Sequence, residues 1–331
     1  MTFDDFLNEW HSGTEYIRAQ TSGSTGRPGR ILLPRRMMIE SAKRTISFFR
    51  LDSSTHFHSC VAADFIGGKM MAVRADILGA PFTCEPPSNH PVIFSSGKVP
   101  DFIALVPSQL WGIIKILQNP EIEVSLREKL RDSIFLAGGG ELHPDLAEAC
   151  RVEGLKVYES YGMTETSSHI ALRKVGERMF RPLKGIAVRK DERDCLAITL
   201  PGYDELATND LVEIEPDNSF RIIGRLDNVI VSGGRKINPE HIERTLLPLL
   251  RKEGVKDIMA IGNPHPIWGR ELHLLIEKPE YDPENKPEDE NLIPRIMEIS
   301  RERLNPWEVA KQIKIVDALP RTANGKLKRN V

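Results

Sequence analysis

The stretch "SIFLAGGGELHPDLAEACRVEGLKVYES", residues 133–160, decides the fold. Its first five residues read as a short strand, "GGGELH" as a turn, the segment from Pro144 as a helix, and "LKVYES" as a second strand. Proline at the first helical position is tolerated because its missing N–H would have no partner there in any case. Strand, helix and strand at this spacing make a βαβ unit, which implies parallel pairing and helices covering the sheet. In open parallel sheets ligands sit beyond the carboxyl ends of the strands. Two loops rich in glycine or hydroxyls follow those ends: Gly138-Gly139-Gly140, and "YGMTETSS" at 161–168.

Upstream, "EYIRAQ" (15–20) and "RILLP" (30–34) read as strands that flank "TSGSTGRPG" (21–29). There Thr21, Ser22, Ser24 and Thr25 surround Gly23 and Gly26, and Arg27 and Arg30 follow. Backbone N–H groups and hydroxyls of such a loop can wrap phosphate, with glycines allowing close approach. It is not a Walker loop: it lies between two strands, and no lysine follows its last glycine. "MMIESAKRTISFF" (37–49) sets Met38, Ala42, Ile46 and Phe49 at helical spacing. "VPSQLWGIIKIL" (106–117) reads as another helix.

After residue 225 the texture changes. "NVIVSGG" (228–234) is a strand entering a glycine turn, and 238–250 a helix with Asn238 as N-cap and Pro239 at its first position. "DIMAIGN" and "ELHLLIE" read as strands, 290–304 as a helix, and 277–294 contains a polar, proline-rich surface loop. The expected architecture is α/β: a large N-terminal domain over 1–226 with parallel βαβ units, and a small mobile α+β domain over 227–331.

Composition narrows the function. Apolar residues make up 40% of the 331, enough for a real core, and the formal net charge of −2 gives no global field toward nucleic acid or an anionic membrane. The acidic start "MTFDDFLNEW" lacks an apolar segment of the signal-peptide kind, and no apolar run approaches a membrane span. Cys60, Cys84, Cys150 and Cys195 are scattered, which fits neither a zinc spacing nor a disulfide framework and suits reduced thiols in the cytoplasm.

Taken singly, the notable segments have plain readings as well as functional ones. The 21–28 loop can be a polar hairpin, and Thr164 can cap a turn. Arg225 can form an interdomain salt bridge, and Lys326 in "LPRTANGKLKRN" can be a solvated tail residue. Their order removes that ambiguity. "TSGSTGRPG", "AGGGEL", "YGMTET", "GRLDNVIVSGGRKINPEHIE", "GNPHPIWGRELH" and "PRTANGKLKR" together resemble the adenylate-forming superfamily of acyl-CoA synthetases, firefly luciferase and peptide-synthetase adenylation domains.

The resemblance implies two steps: ATP and a carboxylate give an acyl-adenylate and pyrophosphate, then the thiol of coenzyme A takes the acyl group. Two anions must meet in the first step, so cations and N–H donors are needed to offset their repulsion. The resemblance assigns Ser22 to Gly26, with Thr21, to the β- and γ-phosphates, Gly138 to Gly140 to adenine, Thr164 to phosphate and Glu165 to Mg²⁺. It assigns Asp210 to the ribose with Arg225 assisting, and Lys326 to the reacting carboxylate and α-phosphate. Asp227 becomes a hinge whose rotation withdraws Lys326 and presents Ser232, Gly233 and Gly234 to the pantetheine arm.

Within the superfamily, "DFIGGKMMAVRA" (64–75), "SYGMTETSSHIALR" (160–173) and the compact length resemble the o-succinylbenzoate–CoA ligases of menaquinone biosynthesis. Their acid carries a second carboxylate that needs a cation or several donors. Lys69, Arg74, Ser167, Ser168 and His169 are the candidates; an exposed helix face is the alternative for Lys69 and Arg74. Three departures from the family pattern stand out. Pro28-Gly29-Arg30 replaces the usual Pro-Lys, Asn209 replaces a glycine before Asp210, and the phosphate loop begins near residue 20, so one wall of the acyl pocket is expected to be missing or rebuilt. The competing readings are a CoA ligase for another aryl or short acyl acid, and a weakened nucleotide-binding paralogue without ligase activity.

Overall fold

The structure, a computed structural model, describes residues 1–21, 29–91, 99–278, 289–321 and 327–329. The chain divides into two compact units: residues 1–188, 199–204 and 215–220, and residues 189–198, 205–214 and 221–331. Strands near 189–198 and 205–214 thus cluster with the C-terminal segment.

The first unit opens with helix α1 (Phe3–His11), held at its start by a capping box in which Thr2 and Asp5 satisfy each other's backbone N–H groups. The expected hairpin follows as β1 (Tyr16–Gln20) and β2 (Arg30–Pro34), antiparallel with Gln20 opposite Arg30. Then come α2 (Arg35–Phe49), β3 (Phe57–Ser59), α3 (Ile66–Leu78), β4 (Phe82–Cys84) and β5 (Phe102–Leu105). Next are α4 (Pro107–Gln118), α5 (Val124–Asp132), β6 (Ile134–Ala137), α6 (Pro144–Val152) and β7 (Lys156–Gly162). The unit's sheet is completed by β8 (His169–Lys174) and β9 (Arg181–Pro182).

That sheet has seven strands in the order β4-β3-β5-β6-β7-β8-β9. β4 through β7 run parallel, as the 133–160 stretch predicts, with Ile134 opposite Lys156. β8 reverses direction and β9 reverses again. Alternate strand residues feed two cores. Ile103, Leu105, Phe135, Ala137 and Val157 face α4 to α6, whereas Phe102, Ala104, Leu136 and Leu172 face Met71 and Ala75 of α3 and Phe49 of α2. Both faces are covered, so these strands read as nearly unbroken apolar runs.

The buried face of α2 differs slightly from the expected one. Met38 and Ala42 are buried, but Ser41 and Thr45 fill the positions expected of Ile46 and Phe49, which are only half-buried. The polar pair is tolerated because Thr45 is hydrogen-bonded on both sides, to Ser41 O and to a histidine of β8.

The second sheet, of four strands, runs β10 (Ala187–Lys190), β11 (Cys195–Thr199), β12 (Leu206–Ile214) and β13 (Phe220–Arg225) in order. The third contains β14 (Ile230–Ser232), β15 (Arg235–Ile237), β16 (Asp257–His265), β17 (Gly269–Glu277) and β18 (Gln312–Val316). Helices α7 (Pro239–Leu250) and α8 (Asp289–Arg303) supply Ile242, Leu246, Leu250, Ile296 and Ile299 to its core. The Asn238 side chain accepts from His241 N, so the expected N-cap is formed.

Candidate active site

Ser22, Gly23, Ser24, Thr25, Gly26, Arg27 and Lys326 lie outside the described residues. What flanks the first group is well defined. Thr21 N donates to Gly29 O at 2.9 Å, and Gly29 N donates to Thr21 Oγ1 at 2.9 Å, closing the base of the loop. Next to it, the Thr164 hydroxyl donates to Gln20 O at 3.4 Å. Two segments far apart in sequence, both expected at phosphate, are thereby joined.

Thr164–Thr166 form one 3₁₀ turn between β7 and β8. Thr166 Oγ1 accepts from Met163 N and donates to Ser168 O at 2.6 Å, which fixes the turn from inside. The chain doubles back so closely that a Cβ on Gly162 would sit 2.3 Å from Ser168 O, so glycine is required there. Glu165 points outward, exposed, with no ion pair among the described residues. An uncommitted carboxylate at the carboxyl end of a parallel strand is a hard oxygen donor that suits Mg²⁺. Gly138 N donates to Leu105 O at 3.0 Å, and a Cβ on Gly138 would meet Ser160 Oγ at 2.8 Å. Gly139 has φ +80°, so the Gly138–Gly140 loop turns away immediately past the ends of β5 and β6.

Arg74 and Lys69 are both buried, contrary to an exposed helix face. They part company on α3. Lys69 Nζ lies 4.4 Å above the Phe6 ring and 3.0 Å from Met1 Sδ, toward α1, and burial lowers its pKa. Arg74 instead reaches β8: its Nη2 donates to Ser168 Oγ at 3.0 Å, while its Nε has no hydrogen-bond partner. It makes no ion pair among the described residues, and burial pushes its pKa down to about 9, still cationic at neutral pH. Ser168 Oγ lies 3.3 Å from His169 Nδ1, and His169 Nε2 lies 3.0 Å from Thr45 Oγ1. Burial, helped by the charge of Arg74, holds His169 well below its usual pKa and therefore neutral. Ser167 adopts φ 63° and its buried hydroxyl has no partner among the described residues. The structure thus brings Arg74, Ser168 and His169 together with Thr45, and leaves Lys69 apart. Helical spacing on α2 was the signal for Thr45, since 38, 42 and 45 share one face.

In the second unit, Arg225 donates to Asp210 Oδ1 at 3.1 Å and to Asp227 Oδ2 at 2.8 Å. Asn209, the departure from the family glycine, donates to Asp227 Oδ1 at 3.0 Å, and Arg193 donates to Asn209 Oδ1 at 3.1 Å. Asp227 lies on a 3₁₀ turn, Leu226–Asn228. Ser232 ends β14, and Gly233 and Gly234 form a two-residue hairpin loop with φ +55° and +78°. Positive φ at both positions matches the twist of the strands. Arg321 and Leu327 form an antiparallel bridge flanking the segment that carries Lys326.

A parallel sheet with hydroxyl- and glycine-rich loops at its carboxyl ends, followed by a small α+β unit, defines a nucleotide-binding enzyme of the adenylate-forming kind. The chain belongs to the AMP-binding enzyme family: residues 20–193 match it, and residues 248–326 match the AMP-binding enzyme C-terminal domain. The 2-succinylbenzoate–CoA ligase of Listeria monocytogenes is 27% identical over 98% of this chain and 71% of that protein. The crystal structure of an acyl-CoA synthetase (AMP-forming)/AMP-acid ligase II-like protein from Dyadobacter fermentans is 32% identical with a TM-score of 0.62, covering 98% of this chain and 91% of that one. The o-succinylbenzoate CoA synthetase of Bacillus subtilis, solved with the acyl-adenylate OSB-AMP, shares the fold at 21% identity and TM-score 0.75, covering 95% of this chain and 68% of that one. No described helix is long and apolar enough to cross a membrane.

Proposed function

We propose that this chain is an AMP-forming acid–CoA ligase whose acid is 2-succinylbenzoate or a close aromatic dicarboxylate, working in the cytoplasm in menaquinone biosynthesis. One observation carries the choice of acid: Arg74 is a fully buried guanidinium without an ion pair among the described residues. A buried charge without a counter-ion is costly, and a ligand carboxylate is the group that relieves it. Ser168 and neutral His169 add hydrogen-bonding capacity beside it. The 27% identity to 2-succinylbenzoate–CoA ligases supports the same acid.

In this reading Arg74 holds the distal carboxylate, and Thr164 with the Ser22–Gly26 loop holds phosphate oxygens. Asp210 takes the ribose hydroxyls, with Arg225 orienting its carboxylate. Lys326 stands between the reacting carboxylate and the α-phosphate, and Glu165 holds Mg²⁺, which neutralises phosphate charge when bound. Residues 227–331 are proposed to rotate about Asp227, exchanging Lys326 for the Ser232–Gly234 turn when coenzyme A arrives. Arg27 or Arg30 stands in for the family lysine at the end of the phosphate loop.

The test is to supply pure protein with ATP, Mg²⁺, coenzyme A and 2-succinylbenzoate and to measure AMP and thioester. Both products are expected, and Lys326→Ala should abolish AMP release. AMP formed only with other acids removes the substrate assignment. Nucleotide binding without AMP from any acid favours the weakened paralogue.

A further inference from the structure

Away from the residues above, His58, Cys60 and Glu85 converge at the far edge of the seven-stranded sheet. Their donor atoms lie within 4.8 Å of one another, the only such cluster of three among the described residues. The topology builds it. β3 and β4 are parallel, with His58 opposite Thr83 and Ser59 opposite Cys84, so Cys60 and Glu85 both step off the carboxyl ends of neighbouring strands. His58 and Cys60 are buried, at 6% and 0% exposure.

Hydrogen bonding fixes what each group presents. His58 Nδ1 lies 2.8 Å from Thr83 Oγ1, which also meets His56 Nε2 at 2.9 Å and can donate to Phe57 O at 3.4 Å. Thr83 has one hydroxyl proton to give, so at least one of the two imidazole nitrogens donates to it; with His58 Nδ1 as that donor, its Nε2 carries the lone pair. Its Nε2 lone pair then points into the cluster. Nε2 is buried without a hydrogen-bond partner, and Glu85 Oε1, at 3.9 Å, is beyond hydrogen-bond reach. Gln109 Nε2 donates to Cys60 O at 2.7 Å and pins the residue that carries the thiol. An imidazole nitrogen, a sulfur and a carboxylate therefore face one another, three candidate ligand atoms within 4.8 Å.

We infer that His58, Cys60 and Glu85 form a binding site for one borderline-soft divalent cation of the Zn²⁺ type, with a water as fourth ligand. Nitrogen, sulfur and carboxylate oxygen are the ligands such an ion takes, at about 2.0–2.3 Å in tetrahedral array. Thr83 supplies the outer hydrogen bond that orients the imidazole. Mg²⁺ is excluded by the sulfur and by the need for about six oxygen ligands. On binding, the Cys60 thiol loses its proton to solvent and the sulfur bonds the metal. The cation ties the short edge strand β4 to β3 and so stabilises the folded state by mass action.

The experiment uses chelator-treated full-length protein titrated with Co²⁺ alone, followed by absorption spectroscopy. One equivalent is expected to give tetrahedral ligand-field bands and a thiolate-to-cobalt charge-transfer band. Cys60→Ser should abolish the charge-transfer band, Glu85→Gln should weaken binding tenfold or more, and Cys84→Ser should change neither. Zinc-edge X-ray absorption on the wild-type protein needs no variant, and it should show one sulfur and otherwise nitrogen or oxygen ligands. Absence of the charge-transfer band, its survival in Cys60→Ser, or a zinc shell with no sulfur overturns the site.

Discussion

Two arginines of this protein solve the problem of their charge in opposite ways. Arg225 is 35% exposed and bonds two carboxylates of its own chain, Asp210 and Asp227. Arg74 is fully buried and bonds a serine hydroxyl and a methionine sulfur. The first is a satisfied junction that sets backbone geometry. The second holds its charge at a desolvation cost that no ion pair among the described residues offsets. Only a group kept in that condition gains a large increment of free energy when an anion arrives, which is what selective recognition requires.

The sharpest way to break the comparison is to neutralise each arginine. Arg74→Met should lower kcat/KM for 2-succinylbenzoate by about a hundredfold or more, while the KM for ATP stays within about twofold. The same substitution should raise the stability of the ligand-free protein, measured by urea unfolding, because it removes a buried charge that has no ion pair among the described residues. Arg225→Met should do the reverse, lowering stability by about 1 kcal/mol after allowing for solvent screening. Equal signs for the two would end the distinction.

Acid and base titration sharpen it. Burial pushes the pKa of free Arg74 down to about 9, so the apparent affinity for the acid should fall at alkaline pH. A flat profile would mean that Arg74 keeps its proton over that range or does not hold the carboxylate. His169 has a folded pKa below its unfolded value, so the unfolded state binds more protons as pH falls. Stability should therefore decline below about pH 6.5, by up to ~1.4 kcal/mol per unit from this one group. Urea unfolding at several pH values should show His169→Gln flattening that slope.

The smallest expected effect concerns Asn209. Asn209→Gly removes its bond to Asp227 and should cost about 1 kcal/mol. If Asp227 is a hinge, the same change should alter the rate of thioester formation relative to adenylation, measured in single turnovers.

Much of the first unit was legible because local chemistry and tertiary need agree there. The βαβ at 133–160 and the 15–34 hairpin follow from periodicity and punctuation, as does the capped 238–250 helix of the second unit. α3 was not legible in the same way. Every residue from Gly68 to Ala75 is buried, so no polar face marks which way Lys69 and Arg74 point. Their separation is set by α1 on one side and β8 on the other, which lie far away in sequence. The His58, Cys60 and Glu85 cluster was hidden for a related reason, since it depends on the register of β3 on β4 and not on spacing along the chain. Asn209 appeared in the sequence only as a departure; its bond to Asp227 gives the departure a structural role.

The tight reversal between β7 and β8 has a consequence for how acid specificity can drift. One short turn carries Thr164 and Glu165 near its start and Ser168 and His169 at its end. In the proposed reading, the first pair serves the phosphate and the second the distal carboxylate. The separation between those two tasks is then a covalent ruler a few residues long, locked by Thr166 and by the absence of a side chain at Gly162. An insertion of one residue would recalibrate the length of acid accepted and disturb nucleotide chemistry in the same stroke. Preference for shorter or longer diacids is therefore expected to change through side chains on α2 and α3 opposite the ruler, while the ruler itself stays fixed.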